Sequence, residues 1–398
     1  MPTISRKGIN MPASPIRKLV PFAEAAKNRG IHVHHLNIGQ PDIDSPKAAL
    51  DAIKNMDLKI IEYSHSAGFE SYRKKLAVYY QGIGGDITSE DIIITTGGSE
   101  ALLFALMTCY DPGDEVIVPE PFYANYNSFA MMAGVELVPL TSRIEEDYSL
   151  PSIQAFEKAI GPKTKGILLC NPANPTGYLY KKDEMLDLQE LALKHDLYIM
   201  ADEVYREFCY GGAEPFSCLN MKKIEQNVII IDSVSKRYSM CGARIGALVT
   251  KNKKVLATAM KFAQARLSPP TIEQIASEAA LDSPQSYFDD VNAQYDRRRQ
   301  TLVNGLNAIE GVLCPMPKGA FYCMARLPIK DSDHFCQWML DSFSYEGETV
   351  MMAPATGFYA TKGAGMNEVR LAYVLKEADL IASVKIIEKG LEAYPGKL

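Results

Sequence analysis

Between Asp91 and Thr250 the chain repeats one pattern, a short and almost wholly apolar run followed by a longer stretch of helical spacing. The runs are "DIIITT" (91–96), "DEVIVPE" (114–120), "VELVPL" (135–140), "TKGILLC" (164–170), "LYIMAD" (197–202), "NVIIID" (227–232) and "ARIGALVT" (243–250). Most lack the alternation of a half-exposed strand, and "EVIV" and "NVIII" are rich in β-branched residues, which suit a pleated strand. Separated by helices such as "SEALLFALMTCY", they predict a mainly parallel sheet covered by helices on both faces.

The pattern changes in the last third. From Ser283 to Ile309 a helical period sets Phe288, Val291, Tyr295, Leu302, Leu306 and Ile309 on one face. "GVLCPMP" (311–317), "GAFYCMARL" (319–327) and "EVRLAYV" (368–374) then read as strands with helices between and after them. The expectation is an α/β fold with two domains: a large one over 46–275, and a smaller α+β one from 276–398 joined by an N-terminal arm, 1–45. The arm is rich in Pro and Gly, shows no clear core of its own, and is expected to pack on the smaller domain.

With 398 residues, 47% of them hydrophobic, the chain is long enough for two cores. Its 42 basic and 48 acidic residues give a net charge of −6 with no block of one sign. Nucleic acid and acidic membrane surfaces are therefore not expected partners. No apolar stretch is long enough to span a bilayer, and "MPTISRKGINMPAS" has no apolar core of a secretory signal. The eight cysteines are scattered without a CxxC pair, as expected of free thiols in a reducing cytoplasm.

In open α/β sheets ligands sit beyond the carboxyl ends of the strands, so the residues there matter most. "TTGGSEAL" (95–102) opens a helix with two glycines, whose free N–H groups can seat a phosphate. "CNPANPTG" (170–177) sets two asparagines in a proline-locked loop. "MADEVY" (200–205) ends a buried strand on Asp202, which needs a cation or donors, and Tyr205 follows three residues later. "SVSKRYSMCGARIG" (233–246) brings Lys236 among Ser233, Ser235 and Arg244, an anion site beside an amine. One ligand explains the set. Its phosphate meets Gly98, Ser99, Ser233, Ser235 and Arg244; its ring meets Asp202, Tyr205 and Asn174; its aldehyde meets Lys236. That ligand is pyridoxal 5'-phosphate.

At this point the sequence resembles the class I/II aminotransferases of pyridoxal-phosphate fold type I, and prokaryotic aspartate aminotransferases in particular. The resemblance covers nearly the whole length through "NIGQPD" (37–42), "YSHSAGFESYR" (63–73), "GGSEAL", "PEPFYANY" (119–126), "NPANPTG", "ADEVY", "SVSKRYSMCGARIG", "PKGAFY" (317–322) and "EVRLAYV". It implies that Lys236 carries the cofactor and moves protons, a role for which its amine must become neutral. It implies that Asp202 faces the ring nitrogen, that Tyr205 and Asn174 donate to the ring oxygen, and that Tyr123 stacks on the ring. Glu100 falls in the same glycine-rich cofactor motif. Arg370 would clamp the substrate α-carboxylate with its planar fork, joined by Gly39 and Asn174. Tyr63 would reach the phosphate of a neighbouring subunit in a homodimer with shared sites. The implied reaction passes an amino group from an L-amino acid, aspartate by closest resemblance, to a 2-oxo acid such as 2-oxoglutarate. Arg266 and Arg17 are candidates to read a second carboxylate.

Other readings are weaker. Aromatic and alanine aminotransferases share the scaffold. A C–S β-lyase would use the same lysine. A regulator would need a DNA-binding extension, and none precedes the arm. Tyr72 and Ala355 depart from commoner family residues without touching the chemistry. "HVHH" (32–35) suits one strand and lacks a third ligand type for a metal, and "GIGGD" (82–86) has no βαβ unit around it.

Overall fold

The computed structural model describes residues 2–398 of the chain. β1 (His32–His35) is a short early strand. Seven strands follow: β2 (Ile92–Thr95), β3 (Glu115–Glu120), β4 (Glu136–Thr141), β5 (Thr164–Cys170), β6 (Tyr198–Asp202), β7 (Val228–Ser233) and β8 (Gly246–Val249). They form one sheet in the order β2-β8-β7-β6-β5-β3-β4. β4, β3, β5, β6 and β7 pair in parallel, while β8 runs antiparallel to both of its neighbours, β2 and β7. The sheet is therefore mainly parallel with one reversed strand. Every residue of β7 is buried, as its unbroken apolar run demands. β4 differs: it sits at the sheet edge, and all of its residues keep some exposure despite the apolar sequence "VELVPL".

Beyond the sheet, the helix Gln285–Asn307 buries Val291, Tyr295, Leu302 and Leu306, the face set by its period. It packs against the C-terminal helix Glu377–Ala393. β9 (Tyr322–Arg326), β10 (Glu348–Met351), β11 (Ala353–Pro354) and β12 (Glu368–Ala372) complete the strands. β11, β12 and β9 form an antiparallel three-stranded sheet, and β1 pairs in parallel with β10. "GVLCPMP" does not form a strand; only Leu313 bridges to Arg326. Pro315 and Pro317 lack the N–H groups that a ladder needs.

The N-terminal arm has more structure than its composition suggests. Leu19, Ala23 and Ala26 around the helix Val20–Asn28 are buried in the same core as Val33, Leu36, Val350 and Met351. The chain then passes from β1 to Asn37 and Gly39, which brings this arm to the carboxyl ends of β6 and β7.

Candidate active site

Those carboxyl ends open into a cavity of about 810 Å³. Asp202 is the last residue of β6 and lies opposite Ile231 of β7 in the ladder. The chain then leaves β7 at Ser233, makes the short helix Val234–Arg237, and returns as β8 with Ser233 paired to Gly246. Lys236 and Arg244 thus lie on one loop closed by an antiparallel ladder. Ser233 Oγ accepts from the Ser235 N–H at 3.1 Å and caps the helical turn. The two serine hydroxyls lie 2.8 Å apart.

The helix Gly97–Cys109 points its N-terminus at this loop, and glycine makes the approach possible. A Cβ on Gly246 would stand 2.5 Å from the carbonyl carbon of Gly97. Gly97 has φ +77°, and a Cβ there would stand 2.5 Å from Arg244 Nη2. Arg244 is itself left-handed, at φ 53°, which costs a side-chain-bearing residue on the order of 1 kcal/mol. The Ser233 hydroxyl is spent on the Ile245 carbonyl at 3.0 Å, which leaves as donors the free N–H groups of the first helical turn, the hydroxyls of Ser99 and Ser235, and the Arg244 guanidinium. This is an anion seat.

Lys236 is half-buried in the cavity. Among the described residues its Nζ has two hydrogen-bond partners, the Gly39 carbonyl at 3.0 Å and Cys241 Sγ at 3.7 Å. No carboxylate holds it. Asp202 is buried and, among the described residues, also lacks a cation. It accepts from Tyr126 Oη at 2.8 Å and, weakly, from the Val204 N–H at 3.4 Å. Burial pushes its carboxyl up to about 6. Because this folded-state pKa stands above the ordinary 3.8, the group adds stability when protonated and loses that contribution as pH rises through about 6. At neutral pH the cost to the cofactor-free protein is about 3 kcal/mol at most. Asp202→Asn keeps a Tyr126 acceptor without the charge. Its cofactor-free form is expected to melt several degrees higher than the unmodified protein at pH 7, and the gap should close toward pH 4. A gap that does not change with pH would contradict this account.

Arg370, in the middle of β12, is 1% exposed. Its Nη1 donates to Asn174 Oδ1 at 3.1 Å and its Nη2 to the Asn37 carbonyl at 2.5 Å, while Nε has no partner. The guanidinium lies over the rings of Tyr322 and Phe358, 4.4 and 4.8 Å from their centroids. Among the described residues no acidic side chain pairs with it. A buried guanidinium held by neutral groups calls for an anion from outside the chain. Asn174 turns its Nδ2 to Tyr205 Oη, 3.3 Å away, and Tyr205 Oη lies 3.0 Å from Tyr322 Oη. Gly39 fits only as glycine, since a Cβ would meet Tyr322 Oη at 1.8 Å. Tyr123 lines the cavity wall, its phenol pushed up to about 12 by burial.

Gly39, Gly98, Ser99, Tyr123, Asn174, Asp202, Tyr205, Ser233, Ser235, Lys236, Arg244 and Arg370 thus meet around one cavity, with Arg17 at its mouth. Three expected residues do not reach it. Glu100 accepts from the Thr96 N–H at 2.8 Å and caps its own helix. Arg266 is turned to the carbonyls of Ser66 and Ile94, both at 3.2 Å, and to Glu100 at 3.6 Å. Tyr63 is 79% exposed and lies outside its own chain's cavity. Conversely, Tyr322, Tyr126 and Asn37 belong to the site though none was singled out in the sequence. Tyr126 stands one helical turn beyond Tyr123, and Tyr322 ends the quoted "PKGAFY", so both lay next to a signal.

The family model described as aminotransferase class I and II matches residues 31–383. The aspartate aminotransferase of Rhizobium meliloti (strain 1021) is 31% identical over 387 residues, covering 92% of this chain and 91% of its own. That of Pyrococcus horikoshii is 31% identical, with 98% of this chain and 97% of its own covered. Among solved structures, the aspartate aminotransferase from Thermus thermophilus with maleate superposes with a TM-score of 0.89 at 29% identity, over 98% of this chain and 100% of that one. An alanine aminotransferase from Pyrococcus furiosus superposes with a TM-score of 0.90 at 28% identity, with the same coverage. A cavity that joins an unpaired lysine, a buried carboxylate and a buried guanidinium now has its context: the chain belongs to the class I and II aminotransferases and is an enzyme of that kind.

Proposed function

We propose that the chain is a pyridoxal-phosphate-dependent aspartate aminotransferase that works as a homodimer, with 2-oxoglutarate as the second substrate. The observation that carries this reading is Arg370, buried without a counter-ion in the same cavity as Lys236 and Asp202. The residues present fit the cofactor. Gly98, Ser99, Ser235 and Arg244 would hold its phosphate, with Ser233 orienting Ser235 rather than binding the anion itself, and Asp202 would face its ring nitrogen. That pairing would supply the cation Asp202 lacks and draw its pKa back down. Tyr123 would stack on the ring, while Asn174 and Tyr205 would meet the ring oxygen. When bound, pyridoxal phosphate supplies an acceptor for the electrons left as the substrate Cα loses its proton.

The chain's own groups do the rest. Arg370 binds the α-carboxylate with a planar fork, supported by Asn174 and the Gly39 backbone. This fixes which face of Cα meets Lys236. The Lys236 amine, once free, would take and hold the Cα proton. Arg17, exposed at the mouth, is the proposed reader of a side-chain carboxylate. Arg266 is left out, because its guanidinium is engaged outside the cavity. Tyr63 stands in a run of exposed apolar residues with Leu58, Ile60 and Ile61, which supports a second copy covering this surface. The eight cysteines are free thiols, which supports a reducing, cytoplasmic setting. No helix among the described residues is long and apolar enough to cross a membrane.

A single-turnover assay tests the substrate. The cofactor-loaded enzyme is mixed with aspartate, alanine, tyrosine or valine in turn, and its absorbance is followed. Aspartate is expected to convert the cofactor fastest. If alanine converts it and aspartate does not, the reading moves to the alanine enzymes that share this fold.

A further inference from the structure

The mechanism leaves one buried hydroxyl at the centre of the cavity without a task. Tyr322 is 3% exposed and touches three parts of the site. Its ring lies under Arg370, its Oη is 3.0 Å from Tyr205 Oη, and it closes on the α-hydrogens of Gly39. Hydrogen-bond bookkeeping fixes the direction of this contact. Arg370 Nη1 donates to Asn174 Oδ1, so the Asn174 amide must present Nδ2 to Tyr205 and donate to it. Tyr205 Oη has one proton and two acceptor sites. For its proton to point into the cavity, Tyr322 must be the donor in the pair. A phenol that accepts two hydrogen bonds is a stronger donor through its own proton.

We propose that Tyr322 is a positioning residue that couples carboxylate recognition at Arg370 to proton donation by Tyr205. Arg370 reaches Tyr205 by two routes, through the Asn174 amide and through the face of the Tyr322 ring. The same ring that receives the substrate-binding cation delivers a hydrogen bond to the group that faces the cofactor oxygen. The inference rests on the cofactor reading given above.

The test is the pH titration of the absorbance of the cofactor-loaded enzyme, which a merely structural residue would not shift. Tyr322→Phe keeps the ring under Arg370 and removes the hydroxyl. Tyr205 then donates more weakly to the ring oxygen, and the nitrogen contributed by Lys236 holds its proton to higher pH. The midpoint is expected to rise by several tenths of a pH unit, with kcat falling several-fold and KM changing less. Gly39→Ala, whose Cβ would displace the same hydroxyl, should move the midpoint the same way, and it carries the test if Tyr322→Phe fails to load. In the double variant Tyr205→Phe/Tyr322→Phe the midpoint should coincide with that of Tyr205→Phe alone, since Tyr322 acts through Tyr205. A Tyr322→Phe midpoint equal to that of the unmodified enzyme would overturn the proposal, as would shifts that add in the double variant. Absence of any cofactor absorbance in the unmodified enzyme would instead overturn the cofactor reading.

Discussion

Lys236→Ala is expected to stop turnover, lowering the rate by ~10⁴-fold or more. A positioned acid–base group contributes about 10²–10⁴-fold alone, and in the proposed function the same amine would also anchor the cofactor. The geometry explains why no neighbour substitutes. The Gly39 carbonyl and Cys241 are the nearest polar groups to Nζ, and the first cannot carry a proton while the second is held by the Ser235 carbonyl at 3.1 Å. The variant should fold, because Ser233 and not Lys236 caps the turn. Small primary amines added to it should restore part of the rate by entering the vacated space. A variant that turned over normally would remove Lys236 from the chemistry.

Arg370→Lys is expected to lower kcat/KM by about 10²–10³-fold, the cost of weakening a buried, hydrogen-bonded charge contact. Lysine keeps the charge but loses the fork that binds Asn174 Oδ1 and the Asn37 carbonyl at once. A non-reactive dicarboxylate such as maleate should lose affinity in parallel, while the cofactor absorbance stays near normal. Unchanged maleate binding would show that the α-carboxylate lies elsewhere. Arg370→Met removes a buried cation that has no counter-ion among the described residues and should raise thermal stability as it destroys activity.

The sheet was legible because β6 and β7 bury both faces, which leaves little room for anything but apolar residues. Asp202 and Lys236 stood out because polar groups directly after such runs need a reason. Edges and long-range pairings were less legible. Pro139, which lacks the N–H for one side of a ladder, is the only local mark of β4 as an edge strand, and "GVLCPMP" has apolar residues enough for a strand while its prolines deny it the ladder. Glu100 and Arg266 sit in segments that approach the cavity, yet they face each other, and no sequence pattern announces an ion pair between residues so far apart. Tyr322 was hidden differently. Its importance lies in touching Gly39, Tyr205 and Arg370 together, three residues from three distant segments.

The reversed strand β8 has a consequence for how the site measures its ligand. Because β7 and β8 are antiparallel neighbours locked from Ile230–Val249 to Ser233–Gly246, the loop between them is a caliper with fixed arms. Lys236 is on one arm and Arg244 on the other, and Gly246 seats the hinge against the helix that begins at Gly97. The span between amine and guanidinium is set by loop length, independently of the segments that bring Asp202 and Arg370. Substrate preference can therefore drift through the arm and the cavity mouth while the loop that carries Lys236 and Arg244 stays pinned by the ladder.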